Sequence, residues 1–89
     1  MSLAVSQTHA ELQTQYLALL EKLAAASSIP NTSARRDALA QIELHTVIWL
    51  RVELPADIRA GYEQVQRSAA RRKADAIAKL EREPLPFEV

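Results

Sequence analysis

The sequence has no cysteine and only one glycine among its 89 residues. Without cysteine there is no disulfide framework, no thiolate metal site and no cysteine nucleophile. One glycine cannot build a glycine-rich phosphate loop, and no nucleophile-elbow spacing occurs. No apolar run approaches the roughly 20 residues that cross a bilayer, and Met1–Val5 lacks the pattern of a secretory signal. These absences predict a cytoplasmic protein without a membrane-spanning segment.

Net charge and clustered histidines are also lacking. Eleven Lys and Arg residues balance eleven Asp and Glu residues, so the field of the whole protein favours neither nucleic acid nor membrane. His9 and His45 lie on different expected helices, and neither has the paired spacing of metal ligands. We therefore predict no catalytic residue, no metal site and no cofactor, and we expect that the chain is not an enzyme.

What remains is a composition rich in Ala, Leu, Gln, Glu and Arg, which favours helices. Apolar residues recur at helical spacing in three segments, at roughly 8–27, 32–53 and 56–83. We predict an all-α fold, either a three-helix bundle or a helical hairpin plus a third helix. Residues 1–83 are expected to form one domain, followed by a short extended tail with two prolines at 84–89.

Local signals mark the helix ends. Thr8 and Glu11 have the spacing of a capping box, in which each side chain bonds the backbone amide of the other. Pro30 and Asn31 interrupt the first pattern, and Asn31 is an acceptable N-cap for the second helix. Pro55 fits the first position of the third helix, where an amide would lack a partner in any case. These signals set the predicted boundaries.

The segment 38–54 is the most apolar part of the chain and contains the only tryptophan. Plotted as a helix, its large apolar residues occupy most of the circumference rather than one stripe. Two neighbouring helices cover only part of such a surface, and an exposed apolar patch marks an interaction site. We predict a non-catalytic module for protein interaction or oligomerisation, completed by another chain and most simply by a copy of itself. The predicted interface residues are Leu44, Val47, Ile48, Trp49 and Leu50.

The end of this segment also has features of a β-strand. Residues 50–54 alternate apolar and charged side chains, and Thr46, Val47 and Ile48 form a β-branched run. A single strand would need a partner edge for its backbone groups, and no second segment is clearly strand-like. Helix is therefore the preferred interpretation of 46–54.

A basic cluster provides an alternative function. Four cationic residues crowd one and a half turns of the third helix, and a basic helix can neutralise nucleic-acid phosphates. Acidic residues are interleaved, and residues 56–83 contain seven basic and five acidic side chains. A solvated helix face explains the same pattern. The cluster comprises Arg67, Arg71, Arg72 and Lys73.

The segment 23–36 resembles the helix-turn-helix of bacterial repressors. Ala24 takes the small position of the first helix, Ser28 the turn position where the family prefers Gly, and Ile29 the apolar position that follows. Ala34 takes the small position of the recognition helix, whereas Asp37 departs from the pattern because the family has an apolar residue there. The resemblance implies a small DNA-binding regulator, with the basic cluster on the DNA backbone. The residues that would face phosphates and base edges are Asn31, Thr32, Ser33, Arg35 and Arg36.

Overall fold

The computed structural model describes residues 8–82. Within this range three helices follow one another along the chain: α1 (His9–Ser27), α2 (Thr32–Trp49) and α3 (Ala56–Arg82). No strand occurs between residues 8 and 82. The all-α, three-helix fold predicted from the sequence is therefore confirmed. The predicted tail at 84–89 lies outside the described residues.

Side-chain caps fix where α1 and α2 begin. Thr8 Oγ1 accepts the Glu11 amide at 3.2 Å and Glu11 Oε1 accepts the Thr8 amide at 2.8 Å, which is the predicted capping box. Asn31 Oδ1 accepts the Ala34 amide at 2.8 Å. Such bonds satisfy amides that a first helical turn leaves without partners, and losing one typically costs about 1 kcal/mol. Both helix starts therefore follow from the local sequence.

The end of α2 differs from the prediction, because the helix stops at Trp49 instead of near residue 53. The amides of Arg51 and Val52 then bond carbonyls three residues back, at 3.2 Å each. Arg59 of α3 explains this early end. Its Nη2 donates to the carbonyl oxygens of Leu50 at 3.1 Å and Val52 at 2.9 Å. These carbonyls have a partner from another helix, so the chain turns without leaving them unsatisfied.

The strand interpretation of 46–54 is wrong. Thr46 to Trp49 are helical, and the residues that follow form a turn. Pro55 also lies one position earlier than predicted, since α3 begins at Ala56 and the Pro55 carbonyl accepts the Arg59 amide at 2.9 Å. Pro55 is therefore the N-cap. A proline disfavours helical conformation in the residue before it, which separates α2 from α3.

The helices form an up-down-up bundle in which α1 and α3 run parallel. At one end, His9 Nε2 lies 2.9 Å from Asp57 Oδ2, a hydrogen bond that lowers the pKa of the Asp57 carboxyl. Towards the other end of α1, Arg72 Nη1 donates to Ser27 Oγ at 2.6 Å. α2 returns between these ends and packs closely on α3, whereas α1 contacts both helices less closely.

The core is centred on Tyr62, whose side chain is fully buried. Its ring centroid lies 5.9 Å from that of Tyr16 on α1 and 6.2 Å from that of Trp49 on α2, so one aromatic cluster joins the three helices. Aliphatic side chains at helical spacing extend this core along the bundle. They are Leu12, Leu19, Leu23, Leu39, Ile42, Ile58 and Val65.

Gly61 lets α1 approach α3 beside this aromatic cluster. A Cβ atom at position 61 would lie 2.7 Å from Cζ and 2.8 Å from Cε1 of Tyr16. Ordinary carbon contacts are about 3.5–4.0 Å. The only glycine of the chain is thus where the Tyr16 ring rests on the backbone of α3.

Within residues 8–82, no helix combines the length and apolar character needed to cross a membrane.

Candidate functional site

One side of α2 faces away from both other helices and carries large apolar side chains. Leu44 and Ile48 are 53% and 58% exposed. They are four residues apart and therefore lie one above the other on the same side of the helix. Val47 is half-buried beside them. We call Leu44, Val47 and Ile48 the outer face of α2.

Trp49 and Leu50 do not belong to this face, although the sequence grouped them with it. Both are partly buried and pack against the intramolecular core. The ring centroids of Trp49 and His45 are also 6.3 Å apart. The apolar residues around α2 are thus shared between the core of the chain and its surface.

Residues of opposite charge precede and follow the outer face along the chain. Asp37 precedes Leu44 by seven residues, which is about two helical turns within α2, and Arg51 follows Leu44 by seven residues, in the turn after α2 ends at Trp49. Both charged residues are exposed. Asp37 Oδ1 lies 2.9 Å from Nη2 of Arg36, but an exposed pair of neighbours contributes little stability. An acidic residue therefore precedes the apolar face near the start of α2, and a basic residue follows this face in the turn beyond α2.

The candidate nucleic-acid residues at the start of α2 are engaged within the chain. The oxygen of Asn31 caps the helix, and Arg36 Nη2 donates to Ser33 Oγ at 3.2 Å. Arg35 Nη1 donates to the Ile29 carbonyl at 2.8 Å, and Arg35 Nη2 lies 3.5 Å from Thr32 Oγ1. Arg35 therefore braces the loop between α1 and α2. This role accounts for a cation in the first turn of a helix, where the dipole disfavours one.

The resemblance to a helix-turn-helix does not extend to the arrangement of the helices. In that motif the two helices cross at about 90–120°. Here α1 and α2 form an antiparallel hairpin: Ser27 and Leu39 line one cavity near the loop, while Gln15 and Trp49 line another at the far end. α2 also packs along α3 instead of projecting from the domain. The geometry of a recognition helix is therefore not formed.

The structure divides the basic cluster of α3. Lys73 turns towards α2 and forms an ion pair with Glu43, whereas Arg72 turns towards α1 and bonds Ser27. Arg67 and Arg71 are exposed. The four cations thus point to different sides and do not form one continuous basic surface.

A basic cleft opens where α1 ends. α3 continues for ten residues beyond Arg72, which lies beside the last residue of α1. The space between this end of α3 and the first turns of α2 is a cavity of about 420 Å³. We call it the basic cleft, since four of its lining side chains are cationic and one is a carboxylate. These charged residues are Arg35, Arg72, Lys79, Arg82 and Asp75.

A second cavity, of about 250 Å³, lies between α1 and α2 at the opposite end. Its lining includes Gln15, Lys22, His45 and Trp49. Burial lowers the pKa of His45, and the positive charge of Lys22 lowers it further. Across residues 8–82 no three His, Cys, Asp or Glu side chains are placed to hold a metal ion. The polar side chains of this cavity are those of Gln15, Lys22 and His45, and the Trp49 indole lies beside the imidazole.

Sequence reasoning did not identify the basic cleft. It placed Arg35 among the residues that would face DNA and Arg72 in the basic cluster, and it assigned no binding role to Lys79. The spacing within α3 does indicate one shared side, since residues 72, 75, 79 and 82 recur at intervals of three and four. Only the antiparallel packing of α2 on α3 brings Arg35 beside these α3 residues.

No protein family, curated protein or solved structure matches this chain.

Proposed function

We propose that this chain is a non-catalytic helical interaction module that pairs with a copy of itself through the outer face of α2. The observation that carries the proposal is the exposure of Leu44 and Ile48 on adjacent turns of one helix. Two large aliphatic side chains, each more than half exposed, form a local apolar patch that association would remove from water. The partly buried Val47 extends this patch.

The expected association is weak. Burying the exposed half of Leu44 or Ile48 contributes about 1 kcal/mol per side chain. Four such side chains in a dimer contribute about 4 kcal/mol, which is comparable to the lower estimates of the cost of association. A contact through one helix face is also smaller than a standard protein interface. The gain from burial and the cost of association nearly cancel, so we expect a reversible dimer with a dissociation constant of about millimolar order or weaker.

The flanking charges favour a copy of the chain as partner, in antiparallel orientation. A two-fold axis through Leu44 places Asp37 of each protomer near the turn that carries Arg51 of the other, because both residues are seven positions from Leu44. A parallel pair would instead bring like charges together. Complementary charges of this kind fix orientation more than they add affinity.

Sedimentation velocity over a wide concentration range tests the proposal. The parent chain is expected to shift from monomer to dimer, and Leu44→Glu combined with Ile48→Glu is expected to remain a monomer. Leu17→Glu is the matched control, because Leu17 is 54% exposed but lies on α1. The control should dimerise as the parent does. A parent that stays monomeric at every concentration, or a control that is impaired equally, would refute the proposal.

A charge exchange tests the orientation. Asp37→Arg alone and Arg51→Asp alone should each weaken the dimer, because each creates like-charge contacts in the antiparallel pair. The two substitutions together should restore it. If the combined variant is weaker than either single variant, the antiparallel arrangement is wrong.

A further inference from the structure

The basic cleft concentrates positive charge in a concave site away from the outer face of α2. Four cations and one carboxylate line it, so the lining has a net formal charge of +3 in a chain whose total is zero. Among residues 8–82, Asp75 forms no salt bridge with any of these cations. The charge of the cleft is therefore not neutralised from within the described part of the chain.

Two of the guanidinium groups are held in place. Arg35 Nη1 donates to the Ile29 carbonyl at 2.8 Å, and Arg72 Nη1 donates to Ser27 Oγ at 2.6 Å. Each guanidinium has five N–H donors, so these contacts orient the group without using all of its capacity. Arginine at a fixed orientation binds phosphate oxygens through two parallel hydrogen bonds.

The helix dipole accounts for only part of this charge. Lys79 and Arg82 lie in the last turn of α3, where cations are favourable. Arg72 lies ten residues before the end of α3, and Arg35 is in the first turns of α2, where the dipole disfavours a cation. Capping of α3 therefore does not explain why all four cations line one cavity.

The volume of the cleft and the basic residues around it indicate which kind of anion it would bind. Its volume of about 420 Å³ is within the range of small-molecule sites. Arg67 and Arg71 are exposed on α3 but do not line it, so no continuous basic track follows it along the helix. A compact, highly charged anion fits this arrangement better than an extended nucleic-acid strand.

We propose that the basic cleft binds a compact oligophosphate anion, with Arg72, Lys79, Arg82 and Arg35 on its phosphate oxygens. Asp75 weakens binding by repulsion from within the same cleft. The site is independent of self-association, because its charged residues lie at the start of α2 and the end of α3 and not on the outer face.

Calorimetric titration of the full chain with pyrophosphate and tripolyphosphate at low salt tests this site. Arg72→Gln combined with Lys79→Gln should weaken binding by about tenfold or more, since two charge-assisted contacts are lost. Arg67→Gln combined with Arg71→Gln is the matched control, with the same change in net charge on the same helix. It should change affinity by less than about threefold, the share expected from long-range screened charge alone. No binding by the parent, or equal losses in both variants, would overturn the proposal.

A variant that binds the anion more tightly provides a second test, because misfolding would weaken binding and not strengthen it. Asp75→Asn should tighten tripolyphosphate binding by several-fold, whereas Glu81→Gln should leave it nearly unchanged, because Glu81 does not line the cleft. An equal change in both variants would overturn the proposal.

The same titrations with a short duplex and a short single-stranded DNA test the alternative that the cleft binds nucleic acid. Tighter binding to either DNA than to tripolyphosphate, lost on Arg72→Gln combined with Lys79→Gln, would assign the charge of the cleft to nucleic acid and refute the oligophosphate site.

Discussion

The contact between Tyr16 and Gly61 predicts a substitution whose effect reverses sign with its background. In a helix interior, replacing Gly with Ala normally stabilises by about 1 kcal/mol. Here the added Cβ would lie 2.7 Å from Tyr16 Cζ, and an ordinary carbon contact is about 3.5–4.0 Å. The ring must therefore move by about 1 Å, away from its packing beside Tyr62.

The magnitude follows from the two opposing effects. Displacing the Tyr16 ring costs about 1–3 kcal/mol as overpacking, which includes loss of an aromatic pair worth about 0.5–1.5 kcal/mol. Subtracting the gain in helix propensity of about 1 kcal/mol, we expect Gly61→Ala to destabilise the parent by about 0–2 kcal/mol. In a Tyr16→Ala background the obstacle is gone, so the same substitution should stabilise by about 1 kcal/mol.

Urea unfolding, followed by far-ultraviolet circular dichroism, measures all four corners of this double-mutant cycle. The coupling free energy between positions 16 and 61 should be about 1–3 kcal/mol. If Gly61→Ala stabilises both backgrounds equally, α1 does not rest on α3 at this point. Protein concentration must be the same throughout, because self-association would add to apparent stability.

Three further predictions concern single residues. The imidazole of His45 should titrate by NMR with a pKa below its ordinary value. It then binds a proton more weakly in the folded than in the unfolded chain, so the free energy of unfolding should fall as pH decreases through about 6.5. Lys22→Gln should raise the His45 pKa only part of the way to its ordinary value, because burial is the larger cause. Arg59→Met should cost about 2 kcal/mol in urea unfolding through two lost hydrogen bonds to loop carbonyls, and an unchanged midpoint would contradict its role at the end of α2. Tyr62→Phe should be neutral or stabilising by up to about 1 kcal/mol, because the buried Tyr62 hydroxyl has no hydrogen-bond partner within residues 8–82; a clear loss of stability would show that the hydroxyl is satisfied.

The helices were predictable because their signals are local. The capping box at Thr8 and Glu11, the N-cap at Asn31 and the break at Pro55 each act within one turn, so neighbouring residues suffice to recognise them. The end of α2 was missed for the opposite reason. Arg59, nine residues after Leu50, supplies the carbonyl partner that ends the helix, and a sequence pattern does not reveal which carbonyl a distant arginine will bind.

The candidate sites depended still more on packing. Residues 38–54 are apolar on several sides, and the sequence alone could not assign Leu44 to the surface and Trp49 to the core. That assignment follows from where α1 and α3 lie around α2. The basic cleft likewise joins Arg35 to Lys79, which are 44 residues apart. Each cation has an ordinary local explanation, and only their position around one cavity indicates a shared role.

The looser packing of α1 than of the α2–α3 hairpin implies unequal protection from amide hydrogen exchange. Elements with fewer tertiary contacts open in partial unfolding events that cost less than global unfolding. We expect α1 amides to exchange ahead of the central turns of α2 and α3. Each such opening bares the side of the α2–α3 pair that α1 normally covers. An α1 from another molecule could then occupy that position, so exchange of α1 between chains is the misassembly to which this architecture is most exposed.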